Sequence, residues 1–132
     1  MPYSIRWEPR GVIFTLHGVV SDDDLRSSTL ASYRDERFAD IEYQLVDFSR
    51  AERIAVSADG VRAVAALDRD APVRAPQPRV AVVSGEMVVR GLTRLYELHA
   101  AGERWLVRSF PSEAEARAWL GRPCDDSLAE GA

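Results

Sequence analysis

One serine stands where a hydroxyl could carry a signal. Ser57, in the stretch "IAVSADGV", immediately precedes a segment with helical apolar spacing. There its hydroxyl can accept a backbone N–H of the first turn as a helix N-cap. Phosphate on the same oxygen would meet the positive end of the helix, which favours an anion. Asp59 already supplies negative charge in that turn, and this favours the cap over the switch. Three more polar residues, Asp47, Ser49 and Ser84, fall near the ends of strand-like segments, with Gly18 and Gly85 in the same region. Open α/β sheets place ligands there, so these form a candidate polar site. Hydrogen bonding to loop backbone is the competing role for Asp47 and Ser49.

Other chemistries lack their residues. His17 and His99 are the only histidines, and neither has a metal-ligand spacing around it. His17 is expected on the polar face of a strand, and His99 near a helix C-terminus, where positive charge is favourable. The single cysteine, Cys124, leaves no internal disulfide and no cysteine-based zinc site, which suits a reducing cytoplasm. There is no G-x-S-x-G elbow and no glycine-rich phosphate loop. The carboxylates stand in polar sequence rather than isolated among apolar residues, as a tuned acid would be. The expectation is a protein that is not an enzyme and holds no metal or cofactor.

Charge argues against nucleic acid. All 17 basic residues are arginine, and lysine and asparagine are both missing, a pattern of GC-rich bacterial coding. The arginines are scattered among 21 acidic residues, for a net charge of −4 rather than a basic stripe. No apolar run is long enough to span a bilayer, and "MPYSIRWEPR" has no signal-peptide core, so a cytoplasmic location is expected.

These residues need a scaffold to position them. "YSIRWE" alternates apolar and polar side chains, "EPRG" turns, and "VIFTLHGVV" makes a second strand, which predicts an opening hairpin. Ser21 caps a helix whose first turn carries Asp22, Asp23 and Asp24 and which should run to about Glu36. A third strand at "YQLVDFS" leads to a helix over about Ser57–Asp70 and a Pro-rich loop. "RVAVVS" is a fourth strand, and a helix follows from Glu86 to about Ala100, ended by Gly102. "RWLVRSF" is a fifth strand, and "SEAEARAWL" a short helix capped by Ser112. Residues 1–120 are expected to form one domain, and 121–132 a disordered tail.

Strands alternating with helices imply βαβ units and a largely parallel, five-stranded α/β sheet. Thr15, His17, Arg104 and Arg108 alternate with Phe14, Leu16, Trp105 and Val107. The expectation is helices mainly on one face, with the four polar residues sharing the less covered face.

The succession "YRDERFADIEYQLVDFS", "VSADGVRAVAALD", "RGLTRLYELHA" and "VRSFPSEAEARAWL" resembles the bacterial SpoIIAA-like proteins, relatives of the STAS domain of anti-sigma factor antagonists. The likeness runs from about Tyr3 to Leu120 and lies in the order of the motifs. It implies a β-α superhelix with helices mainly on one face, acting through a protein partner such as a kinase-like protein or a sigma-factor regulator. It also implies that Ser57 aligns with the phosphorylatable serine of a D-S-[ST]-[GA] motif. Ala58 fits the small last position, whereas Ala55 and Val56 stand where the motif has Asp and Ser.

The resemblance further implies a pocket for a small apolar, lipid-like ligand, which is the alternative function. Its expected wall is the third long helix, with Val88, Leu92, Leu95 and His99 on one stripe, although core packing would explain that stripe too. Gly91 lacks a side chain about one turn from Val88 and Leu95, so a backbone or ligand could approach beside Leu92 and Tyr96. The first helix presents Ser28, Thr29 and Ser32 between Leu25 and Tyr33, where a core face should be apolar. Nothing in the sequence sets the oligomeric state.

Overall fold

The first strands are shaped by what lies over them. β1 (Tyr3–Glu8) and β2 (Gly11–Ser21) pair antiparallel, from Tyr3 opposite Leu16 to Glu8 opposite Gly11. They belong to a computed structural model that describes residues 2–101 and 104–121. The expectation for the tail therefore falls, from residue 122 on, outside the described residues, as does Gly102.

β2 then pairs parallel with β3 (Tyr43–Ala55), β3 with β4 (Arg79–Val83), and β4 with β5 (Leu106–Phe110), giving the order β1-β2-β3-β4-β5. The α/β class, the opening hairpin and the parallel five-stranded sheet are as the sequence predicts. β3 runs further than expected. β4 pairs only with Tyr43–Asp47, so the rest of β3 continues with β2 as a two-stranded ribbon beyond the sheet. β3 has 13 residues against 11 in β2, and the difference is absorbed at register shifts between Thr15 and His17 and between Gly18 and Val19. Gly18 has φ of 68° beside the second shift, a conformation that glycine adopts without strain.

Three helices pack on one face: α1 (Asp22–Tyr33), α2 (Ala58–Arg69) and α3 (Met87–Tyr96). Beneath them lie Val12, Phe14, Leu16, Phe48, Val80, Val82 and Val107, the alternate residues of their strands. α4 (Glu113–Leu120) covers the other face, where Ala116 and Leu120 meet Ile13, Tyr43, Leu45, Ala81 and Val83. Arg117 ties α4 to the hairpin through two parallel bonds to Glu8, at 2.8 and 2.7 Å, and the Tyr43 hydroxyl donates to the same carboxylate. The Arg117 bonds hold the Glu8 carboxyl below its ordinary range, and burial pushes the Tyr43 phenol up to about 12.

Element ends differ from expectation for local reasons. α1 stops at Tyr33 because Asp35 opens a separate 3-10 turn, Glu36–Asp40, by accepting the Arg37 N–H. α3 stops at Tyr96 and passes into a π-helical turn, Glu97–Ala101, on which His99 is exposed. β5 begins at Leu106, so Arg104 does not join the less covered sheet face. Its guanidinium instead donates to the carbonyls of Arg69, Ala71 and Val73 at 2.6–2.8 Å, capping the end of α2. Arg108 pairs in register with Ala81 and so shares the α4 face, with its guanidinium 5.8 Å from the Phe110 ring.

Candidate functional site

In a parallel sheet the strands end, and their helices begin, along one edge. Ser57 stands on that edge as the N-cap of α2, its hydroxyl accepting the Gly60 N–H at 3.1 Å. A residue from the neighbouring helix has come to meet it. Asp22, the first residue of α1, accepts the Ser57 N–H at 2.8 Å and the Ser57 hydroxyl at 2.6 Å. This juxtaposition follows from the pairing of Ser21 with Ala55, which sets the starts of the two helices side by side. Gly60 is required by it, because a Cβ there would lie 2.1 Å from Asp22 Oδ1. The anion that the positive end of α2 favours is thus supplied from within the chain.

A second constellation lies under the helices. Asp68 sits on the inner face of α2, one and two turns beyond Ala65 and Val61, and is 3% exposed. The Tyr33 hydroxyl donates to its Oδ1, and the Tyr96 hydroxyl to its Oδ2 at 2.5 Å. Burial raises the Asp68 pKa, and the hydrogen bonds from Tyr33 and Tyr96, with the Gln44 amide close by, pull the other way. Burial, and then the Asp68 charge, push both phenols well above their ordinary range, so they remain donors. The Trp105 indole N–H donates to the Asp68 carbonyl at 2.9 Å. Against this cluster lies a partly open cavity of about 90 Å³. Its walls come from the sheet (Phe14, Val46, Val80) and from all three helices (Leu25, Val64, Leu92).

The expected ligand wall is rotated from its predicted position. Leu92 and Tyr96 line the cavity, but Val88 is 51% exposed, Leu95 is not part of the lining, and Gly91 faces open space. The inward stripe is Val89, Thr93 and Tyr96, one residue and so about 100° from the stripe that begins at Val88. Thr93 disguised it: its hydroxyl is spent on the Val89 carbonyl at 2.7 Å, which lets a polar residue face the core. On α1, Ser28 and Ser32 likewise donate to the carbonyls of Leu25 and Thr29, and Ser28 and Thr29 border the cavity.

In the candidate polar site Asp47 pairs in register with Val83, the residue before Ser84. Asp47 accepts the Ser49 N–H at 2.8 Å, and Ser84 accepts the Glu86 N–H at 3.0 Å, so each serves its own turn. β3 continues past Asp47, which removes it from the strand end, and its side chain follows Leu45 toward α4. Among the described residues no group of His, Cys, Asp and Glu side chains could hold a metal ion. The residue that sequence reasoning missed is Asp68. Its signal was the spacing of Val61, Ala65 and Asp68 on one helical stripe, which puts a carboxylate in a core position. Gln44, polar between Tyr43 and Leu45 in an apolar strand, was the other.

No protein-family model matches the chain, and no curated protein matches it. Solved structures do. An uncharacterised protein of the DUF3478 family from Shewanella loihica, with a SpoIIAA-like fold, matches with a TM-score of 0.56 and 15% identity, over 89% of this chain and 91% of its own. The anti-sigma factor antagonist SpoIIAA in its unphosphorylated form matches with a TM-score of 0.60 and 13% identity, over 91% and 97%. The chain has a SpoIIAA-like fold.

Proposed function

We propose that residues 1–120 form a non-enzymatic regulatory domain that acts by binding a protein partner, a kinase-like or sigma-regulating protein, in the cytoplasm. The fold it shares with an anti-sigma factor antagonist supports a regulatory role. The observation that carries the reading is the edge where the helices begin. Val19 at the end of the β2–β3 ribbon and Met87 and Val88 at the start of α3 are 55%, 82% and 51% exposed, on the same edge as Ser57. Apolar side chains left exposed along one edge offer contact area to a partner. Among the described residues no helix is long and apolar enough to cross a membrane.

In this reading Ser57 is a cap and not a phosphate acceptor. Its hydroxyl hydrogen is already given to Asp22, and a phosphate there would press a second, larger negative charge against that carboxylate. Met87→Asp tests the edge, since a side chain 82% exposed contributes little to stability. Protein recovered from its natural host should carry a partner when wild-type and lose it as Met87→Asp, with an unchanged melting temperature. A partner retained equally by both would place the interface elsewhere.

A further inference from the structure

The cavity beneath the three helices is mostly apolar, and two of its polar lining residues are incompletely used. Gln44 and Asp68 are 4% and 3% exposed. The Gln44 Nε2 is the one buried side-chain nitrogen without a hydrogen-bond partner among the described residues. An amide donor left unpaired in a nearly waterless site is costly, and native interiors seldom keep one without a reason. Asp68, beside it, is only partly used. Each of its oxygens takes one tyrosine hydroxyl, while a carboxylate has about four lone-pair sites. Among the described residues no cationic side chain hydrogen-bonds it: Arg104, whose charge reaches Asp68, gives its hydrogen bonds to the carbonyls at the end of α2.

An unused donor next to spare acceptor capacity is complementary to a group that accepts and donates at once. A hydroxyl is the smallest such group. We propose that this cavity binds a small uncharged hydroxyl-bearing hydrophobe, an alcohol or phenol, whose oxygen accepts from Gln44 Nε2 and whose O–H is given to Asp68. The apolar remainder lies against Phe14, Val46, Val80 and Leu92. Size limits it. The cavity holds about 90 Å³ and is partly open, whereas a closed engineered cavity of about 150 Å³ admits benzene, so nothing larger than a single ring, seated partly in the opening, fits without rearrangement. Charge limits it as well: a carboxylate ligand would bring a second negative group beside Asp68, where no described cation hydrogen-bonds the carboxylate. Fatty acids are therefore excluded on two counts. This site stands apart from the partner-binding edge, and neither proposal needs the other.

The test is titration of the folded protein with phenol, benzene and benzoate, followed by calorimetry and by amide chemical shifts. Phenol should bind about tenfold more tightly than benzene, the worth of its hydrogen bonds, and benzoate should not bind. Gln44→Leu removes the donor while keeping an apolar side chain, and should bring phenol down to the affinity of benzene without weakening benzene. Leu92→Trp, at a half-buried position of the lining, should abolish both. Equal affinity for phenol and benzene, tighter binding of benzoate, or phenol binding unchanged in Gln44→Leu would overturn the proposal. Should Gln44→Leu fail to fold, the wild-type ligand series and Leu92→Trp still decide it.

Discussion

Replacing Ser57 by aspartate should destabilise the protein, although aspartate is as good an N-cap as serine. Ser57→Ala gives the reference. It removes the acceptor of the Gly60 N–H and the donor to Asp22, while the backbone bond from Ser57 N–H to Asp22 survives. Ser57 is exposed, so water replaces part of the loss, and the cost stays near that of a lost cap, ~1 kcal/mol. Ser57→Asp keeps the acceptor but sets a carboxylate against Asp22. Two such charges about 4 Å apart repel by about 1 kcal/mol in water and about 4 kcal/mol at an effective dielectric of 20. Exposure selects the lower part of that range, for a net cost of about 1–2 kcal/mol and a fall in melting temperature of about 3–6 °C. Urea denaturation at low and high salt separates the two causes. In 1 M salt, where the screening length is about 3 Å, the Ser57→Asp deficit should shrink while the Ser57→Ala deficit persists. Asp22→Asn combined with Ser57→Asp should recover most of the repulsion. A Ser57→Asp protein as stable as wild type at low salt would refute the reasoning, and would reopen the α2 terminus to phosphate.

Gly60→Ala should cost about 1 kcal/mol or more by forcing Asp22 aside, and Asp22→Ala should relieve it, as urea midpoints will report. Asp68 should make stability fall as pH rises. Its folded pKa is raised by burial, so between the unfolded value near 4 and that raised value the native state binds more protons. The loss begins above about pH 4 and is complete once pH passes the folded pKa, and it should vanish in Asp68→Asn melting curves. Glu8 has the opposite sign, since its pKa is lowered by Arg117: its contribution is present above the unfolded value and lost as pH falls through the folded one. Glu8→Gln should flatten that acid limb in the same scans. Trp105→Phe, which leaves the Asp68 carbonyl without its indole donor, should cost about 2 kcal/mol by thermal denaturation.

The hairpin, the largely parallel sheet and the start of each helix were legible because they rest on local rules. Ser21, Ser57 and Ser112 each cap the helix they precede. What the sequence concealed was tertiary. The length of β3 depends on two register shifts against β2, and "SRAERIA" has no apolar alternation to announce a ribbon. Arg104 lies next to a strand in sequence, yet the carbonyls it meets come from the end of α2 some thirty residues earlier. The buried stripe of α3 was misplaced because Thr93 satisfies itself on its own helix and so tolerates burial. The Asp22–Ser57 contact spans 35 residues and leaves no local trace beyond Gly60, whose missing side chain makes room for it.

The most direct test of the regulatory reading is native mass spectrometry of the untagged chain recovered from its natural host. The account predicts a complex of the chain with a second protein, the chain itself carrying no phosphate on Ser57. A chain recovered alone and bearing phosphate at Ser57 would contradict it, since the hydroxyl would then be free of Asp22 and the edge would have no partner.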